Sequence, residues 1–420
     1  MGGNRKASLT FVYKNQKSHF MQTSFLYQMM GLREQECTRT EYAQGGAILH
    51  IRTRKDKIHC PKCHSKDVVC SGTVVRDFKS LPMGDRPITL RMTVQRLECK
   101  HCGCVVQEEI SFAKPKCQYT KRMAKYVQKL CQYMSITDVA KHLHMSWNTV
   151  KNINKEHLKH KYSKPNLNNL RIIGIDEFAV KKGHVYMTIV VDLLSGEVVY
   201  VGDGKGKDAL DDFWKMLAKS KCKIEAVATD LSAAYIAAIK EHLPDAVQVF
   251  DHFHVVKLAN EALDKVRIDT YKSLGPTEQP KAIKGLRWIL LGNREELDSD
   301  DASQRLEKAL EVNADLATAY YLKEDLRRIW HQLDKEHAEI LLTNWIQQAR
   351  ASGVKPMMKL ADTIERHANG ILAFYDYSIT SGKVEGINNK IKTIKRKAFG
   401  YRDNEYFKLL ILAMHDITYA

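Results

Sequence analysis

Three carboxylates beyond residue 170 stand where they could do phosphoryl chemistry. Asp176 ends the apolar run Ile172-Ile173-Gly174-Ile175, Asp230 follows Ala226-Val227-Ala228-Thr229, and Glu385 lies in Ser381-Gly382-Lys383-Val384-Glu385-Gly386. Carboxylates just past apolar strands can meet at one edge of a sheet, and a helical glutamate packed there can complete an oxygen cage for two divalent ions. Two such ions about 4 Å apart activate the attacking oxygen and stabilise the leaving oxygen of a phosphodiester. Asp at a strand end is also common in plain turns, so position alone leaves both readings open.

Two further constellations lie in the first half. Cys60-Pro61-Lys62-Cys63 and Cys99-Lys100-His101-Cys102 are C-x-x-C knuckles flanking a strand-like stretch, and each can offer two thiolates to a tetrahedral metal. We read Cys60, Cys63, Cys99 and Cys102 as ligands of a closed, structural zinc site, with a redox C-x-x-C as the competing reading and Cys70 and Cys104 as rivals for a ligand position. Residues 135–153 then fit a helix-turn-helix. Val139, Ala140 and Leu143 give an apolar face to its first helix, Ser146 can cap the second, and Val150 with Ile153 pack it back. Ser146, Trp147, Asn148 and Lys151 would face base edges or phosphates, and His144 stands where such turns usually hold glycine. The bland alternative is an ordinary helical hairpin.

The charge distribution favours a polyanion partner. Residues 1–170 hold 30 Lys+Arg against 12 Asp+Glu, whereas residues 171–420 hold the remaining 36 against 37, so the whole excess of the +17 chain lies in the first part. A second basic run, Lys383, Lys390, Lys392, Lys395, Arg396, Lys397 and Arg402, surrounds the single acidic Glu385. Lysines beside a metal-binding carboxylate suit a phosphodiester backbone, although a charge run is more commonly a solvated face. Trp288 reads as a core tryptophan, with stacking on an unpaired base as its alternative.

The elements that must position these residues follow from periodicity. Ile88, Leu90, Met92 and Val94 alternate with polar residues as in a half-buried strand, and residues 120–157 turn helical. Three short strands follow (171–175, 184–191 and 197–201, joined by turns at Lys182-Gly183 and Ser195-Gly196), then helix 208–218, strand 224–229, helix 232–242 and strand 246–250. That order describes a mixed sheet covered by helices, an α/β architecture. Residues 253 to about 375 read as helices, and 382–397 as one more. The expected organisation is an extension to residue 50, a ribbon over 51–115, a helix-turn-helix over 116–165, an α/β part over 166–270, a helical part over 271–375 and a closing segment over 376–420. An apolar share of 44% with 27% charged residues is ordinary for a folded chain. No run approaches the roughly 18 to 20 apolar residues of a membrane span, and the start lacks a secretory h-region. The 10 cysteines are therefore expected as thiols or ligands in the cytoplasm, with no membrane partner.

Taken together, Gly174-Ile175-Asp176-Glu177, Asp251-His252-Phe253-His254-Val255, the run from Ser381 to Lys392 containing Glu385-Gly386-Ile387-Asn388-Asn389-Lys390-Ile391-Lys392, and Lys395-Arg396-Lys397-Ala398-Phe399-Gly400-Tyr401-Arg402 resemble bacterial insertion-sequence transposases of the ISL-three group. The resemblance runs from about residue 55 to the end. It implies a DDE enzyme with an RNase H-like core and a large helical insertion. It maps Asp176, Asp230 and Glu385 onto the triad that holds two magnesium or manganese ions. Asp251 and His254, in an Asp-x-x-His spacing, become supports of the catalytic loop. Lys390, Lys392, Lys395, Arg396, Lys397 and Arg402 become contacts to DNA. Implied partners are element ends and target DNA, held by a homodimer or larger assembly near the bacterial nucleoid. A retired DNA-binding regulator, or a nuclease that cuts without joining, are the alternatives.

Overall fold

The long alternating stretch around Leu90 becomes one strand of a twisted hairpin that carries the cysteine knuckles at its open end. The computed structural model describes residues 25–43, 45–181, 185–273, 285–292, 300–377, 379 and 382–417. The chain divides into two compact units, the first running to Lys161 and including Asp416 and Ile417, the second running from Tyr162 to His415.

In the first unit, β1 (Gln35–Ala43), β2 (Gly46–Thr53), β3 (Val68–Met83), β4 (Arg86–Cys99) and β5 (Val105–Gln107) form one sheet in the order β1-β2-β4-β3, with β5 also on β4. β3 and β4 pair antiparallel, and β2 runs parallel to β4. Ile88, Leu90, Met92 and Val94 are buried as their alternation requires, together with Leu49, Ile51 and Phe78. The expected extension to residue 50 is therefore corrected, because from Gln35 onward the chain is woven into this sheet. Helices α1 (Lys121–Leu130), α2 (Ile136–His142) and α3 (Trp147–Tyr162) follow, packed around Met123, Val127, Val139, Leu143, Val150 and Ile153.

In the second unit, β6 (Ile172–Lys181), β7 (Val185–Asp192) and β8 (Val198–Asp203) form an antiparallel meander; α4 (Asp211–Leu217), β9 (Ala226–Thr229), α5 (Ala233–His242) and β10 (Val247–Phe250) complete the sheet. Its order is β10-β9-β6-β7-β8, with β9 and β10 parallel to β6. This is the RNase H-like arrangement, and it matches the expected mixed sheet. The turn at Lys182-Gly183 and His184 lie outside the described residues.

A block of helices leaves the sheet after β10: α6 (His252–Ser273), α7 (Arg287–Leu291), α8 (Asp300–Val312), α9 (Ala314–Arg327), α10 (Lys335–Ala351), α11 (Lys355–Arg366), α12 (Ala368–Leu372) and α13 (Phe374–Tyr377). It buries its own core around Tyr320, Leu326, Trp345 and Ile364. It is tied back to the sheet at Gly370, where a Cβ would lie 2.4 Å from the Phe250 ring. The chain then returns through α14 (Gly382–Lys397) and α15 (Asn404–Leu412). Val384, Ile387, Ile391 and Ile394 are buried at helical spacing on α14. Burial of each such side chain contributes about 1.5–3 kcal/mol, which fixes the rotation of the helix about its axis.

Candidate active site and nucleic-acid-binding modules

The carboxylate site is built where the pairing of β9 with β6 runs out. Gly174 pairs with Ala228 in the parallel register. Two residues further along the chain from each of these stand Asp176 and Asp230, near enough for the charge of Asp230 to act on Asp176. Asp176 does not sit past the end of its strand as the sequence reading expected. β6 continues to Lys181, and Asp176 pairs with Ile189 in mid-strand. β9 is the strand that stops, so it is Asp230 that lies at an end.

Period-two alternation puts Gly174 and Asp176 on one face of β6, and α14 covers that face. A Cβ on Gly174 would lie 3.0 Å from both Val384 and Leu193, so glycine allows the helix to approach closely. The Nδ2 of Asn388 donates to Asp176 Oδ2 at 2.6 Å, and Lys395 Nζ donates to the Ala179 carbonyl at 3.1 Å. The two spacings agree, since 11 helical residues from Val384 to Lys395 rise about 16 Å and five strand residues from Gly174 to Ala179 span about the same. α14 thus runs alongside β6 in the same direction. Glu385, three residues before Asn388, lies on the same side of the helix and is exposed.

Burial pushes the Asp176 carboxyl above the ordinary carboxylate range; the Glu177 N–H at 2.7 Å, the Asn388 amide and His254 hold it down only in part, and the charge of Asp230 adds to the rise. Glu177 is raised too, first by burial and then by Asp230. Its Oε2 accepts from Tyr235 Oη at 3.5 Å, and Tyr235 in turn lies 3.0 Å from Thr188. Asp251 is buried at the start of α6, 3.3 Å from His252 Nδ1 and 4.0 Å from His254 Nε2, and accepts from the Phe253 N–H at 3.1 Å. His254 is close enough to Asp176 to act on its charge.

Asp176, Asp230 and Glu385 nevertheless do not close into one ion-sized group. Among the described residues, only Cys60, Cys63, Cys99 and Cys102 bring three or more metal-type ligand atoms within 4.8 Å of one another. The fit to divalent ions rests instead on the donor set at Asp176. Like charges crowd there, and the Asn388 Oδ1 is buried without a hydrogen-bond partner. Asn388 and Glu177 were not singled out by sequence reasoning. The spacing from Glu385 to Asn388 was the available signal for the first, and adjacency to Asp176 for the second.

The thiol cluster fits zinc directly. Zn–S bonds of about 2.3 Å place tetrahedral sulfurs about 3.8 Å apart, and Cys60–Cys102 and Cys63–Cys99 stand at 3.7 and 3.5 Å. The knuckles share a backbone design. His64 and Gly103, each next after a knuckle's second cysteine, donate to the carbonyls of Cys60 and Cys99 at 2.9 Å and have φ of 60° and 66°. Backbone N–H groups, that of Cys63 first, pull the Cys60 thiol down to about 6. Cys104 is a fifth thiol, 3.2 Å from Cys102 and 3.5 Å from Cys60, and these neighbours and burial push it up to about 12. Cys70 is exposed, its Sγ directed to the Gly72 carbonyl.

In the helix-turn-helix, Ser146 Oγ accepts from the Thr149 N–H at 3.1 Å and so caps α3. His144 has φ 48°, the conformation its place in the turn demanded, and its carbonyl accepts from Lys79 Nζ. Trp147 and Asn148 are exposed on the first turn of α3, and Lys151 Nζ lies 5.6 Å over the indole. Trp288 is a correction: it is 75% exposed, with the Arg287 guanidinium 5.3 Å over its ring, while its helix neighbour Leu290 carries the burial. Of the basic run, Lys383 and Lys395 spend their ammonium groups on the Leu193 and Ala179 carbonyls, whereas Lys390, Lys392, Arg396, Lys397 and Arg402 are exposed.

An RNase H-like sheet with paired aspartates at its parallel edge, a helical block before its last helix, and a thiol ribbon and helix-turn-helix ahead of it in the chain is the layout of a DNA transposase. Family models agree segment by segment. One described as a zinc finger of the transposases of IS204, IS1001, IS1096 and IS1165 matches residues 56–102, one for the helix-turn-helix domain of transposase family ISL3 matches 108–158, and the ISL3 transposase model matches 173–411. The chain belongs to the ISL3 family of transposases. It is 35% identical over 368 residues to the transposase of insertion sequence element IS1001 from Bordetella parapertussis, covering 87% of this chain and 90% of that one. It is 30% identical over 398 residues to the IS1557 transposase of Mycobacterium tuberculosis, covering 87% of each. A Drosophila P element transposase strand transfer complex aligns over 60% of this chain and 78% of its own with a TM-score of 0.35 and 11% identity, a likeness too loose to add to the family match.

Proposed function

We propose that this transposase cuts and joins DNA at a site in which Asp176, Asp230 and Glu385 hold two divalent ions, magnesium or manganese. The observation that carries this reading is the 2.6 Å bond from Asn388 on α14 to Asp176, which sets the Glu385 helix against the Asp176–Asp230 edge. Bound there, the ions would supply activation of the attacking oxygen and charge neutralisation at the leaving oxygen. The chain's own groups do the rest. Asn388 fixes the rotamer of Asp176, and the Asp251–His254 pair braces the first turn of α6. Exposed Lys390, Lys392, Arg396, Lys397 and Arg402 hold the phosphodiester backbone, while Lys395 clamps α14 to β6. Water is the nucleophile of the cut and a DNA 3′-hydroxyl that of the joining step, both in-line at phosphorus without a covalent protein intermediate.

Glu365, a rival for the third carboxylate, is held by Arg350 at 2.6 Å on the helical block, and Asp192 is occupied by the turn it caps, accepting from Leu194 N–H and Ser195 Oγ. The ribbon, stabilised by zinc on Cys60, Cys63, Cys99 and Cys102, and the face of α3 with Ser146, Trp147, Asn148 and Lys151 recognise the element ends. Joining two ends calls for a homodimer or larger assembly, working on bacterial DNA in the cytoplasm. Among the described residues no helix is long and apolar enough to cross a membrane.

The test incubates the protein with magnesium and a labelled duplex carrying the element ends that flank its own coding sequence, plus an unlabelled target, and maps every break. Breaks at the ends with label transferred to target support the reading. Breaks without transfer make the protein a nuclease, and binding without breaks makes it a regulator.

A further inference from the structure

Phe399 stands at the C-terminus of α14 in a backbone conformation that a phenylalanine rarely adopts. The helix closes with the Gly400 N–H on the Lys395 carbonyl at 3.0 Å and the Phe399 N–H on the Arg396 carbonyl at 3.1 Å. These are the two bonds of a Schellman cap, whose left-handed position is ordinarily glycine. Here that position is Phe399, with φ 52°, although glycine is the very next residue. The side chain gains no packing in return. It is 102% exposed, the largest value among the exposed large apolar residues described.

The mount beneath it is firm on both sides. Lys395 anchors the helix end to the Ala179 carbonyl, and Tyr401 stacks on the buried Phe407 with ring centroids 4.7 Å apart at 14°. Around it stand the exposed Arg396, Lys397 and Arg402, with no acidic residue between Arg396 and Arg402. A strained, solvated aromatic on a rigid base among cations suits the stacked bases of a nucleic acid better than a second copy of this chain, whose matching patch would be equally basic.

We propose that Phe399 is an aromatic wedge that enters between bases of the DNA laid along α14 and unstacks one step of it. This rests on the reading of α14 as the helix that carries DNA. Phe399 lies 11 residues beyond Asn388, 399 minus 388, a rise of about 16 Å. At about 3.4 Å per base the unstacked step falls about five bases from the Asp176 site. The wedge prises the duplex open or bends it near the position of cutting, and base steps that unstack readily, such as TA, are favoured there.

The experiment uses the full chain and a duplex with its own flanking element end, carrying 2-aminopurine at each position in turn, with binding followed by anisotropy in the same samples. The wild type brightens the probe severalfold at one step, about five bases from the break. Phe399→Trp keeps the signal, and Phe399→Gly, which suits the left-handed position and endangers no fold, abolishes it in a saturated complex. Equal brightening with Phe399→Gly, or none in the saturated wild type, overturns the wedge. A Phe399→Gly protein that keeps the signal but changes its sedimentation makes the residue a protein contact and overturns it as well. A wild type showing no anisotropy change with the duplex removes the underlying DNA reading and the wedge together.

Discussion

Replacing Asn388 by alanine separates a working amide from a packed one. Its Nδ2 gives Asp176 a 2.6 Å hydrogen bond, and Asp176 is already raised by burial and by the charge of Asp230. A hydrogen bond to a charged group contributes about 1.5–3 kcal/mol, and each 1.4 kcal/mol is about tenfold in the ratio of ionised to protonated carboxyl. At a pH on the acid limb the ionised form of Asp176 therefore falls by about tenfold to a hundredfold. Only the ionised form holds a cation, so the acid limb of single-turnover cleavage moves to higher pH. The stability change has its own sign. A carboxyl whose folded pKa is raised gives stability that is full below its unfolded pKa and is lost as pH rises through the folded value. Asn388→Ala raises Asp176 further, so its loss of stability is larger at neutral than at acid pH. Denaturant titrations at both conditions read this directly. An unmoved acid limb, or equal destabilisation at both conditions, would refute the proposed link between Asn388 and the charge of Asp176.

Two other perturbations follow from the first unit. Cys63→Ser loses zinc and unfolds the ribbon while the helical signal of the second unit stays, and Cys104→Ser keeps zinc; metal retained in the first variant and lost in the second would exchange their roles. Trp147→Ala and Lys151→Ala weaken duplex binding, and Lys151→Ala lowers the salt slope by about one; unchanged binding in both would move end recognition off α3.

The succession of strands and helices in the second unit and the closing helix were legible because their apolar patterns are strong. Ile172-Ile173-Gly174-Ile175 reads as a strand, and Val384, Ile387, Ile391 and Ile394 read as one helical stripe. The hairpin of β1 and β2 was not, since β1 is Gln-Glu-Cys-Thr-Arg-Thr-Glu-Tyr-Ala, an edge strand with most of its side chains in solvent and little alternation to detect. Trp288 misled for a related reason, because residue type predicts burial only on average and Leu286 and Leu290 fill the core in its stead. Asp176, Asp230 and Glu385 could be put forward as candidates from sequence, but the nearness of Asp230 to Asp176 could not. That depends on the Gly174–Ala228 register between strands more than fifty residues apart. The partnership of Asn388 with Asp176 depends on the path of α14, which is set by close approach at Gly174.

Whether Glu385 is the third metal-holding carboxylate is decided by comparing cleavage in Glu385→Gln with cleavage in Glu365→Gln. Glutamine keeps the shape of an exposed side chain on α14, so folding and DNA binding hold, while an anionic ligand is lost. Cleavage and joining by Glu385→Gln should both fall on the order of a thousandfold or more. Glu365→Gln, which removes one of the two carboxylates on Arg350 while Asp362 keeps its 2.8 Å contact, stays active. Cleavage that survives Glu385→Gln and fails in Glu365→Gln would contradict the site described above.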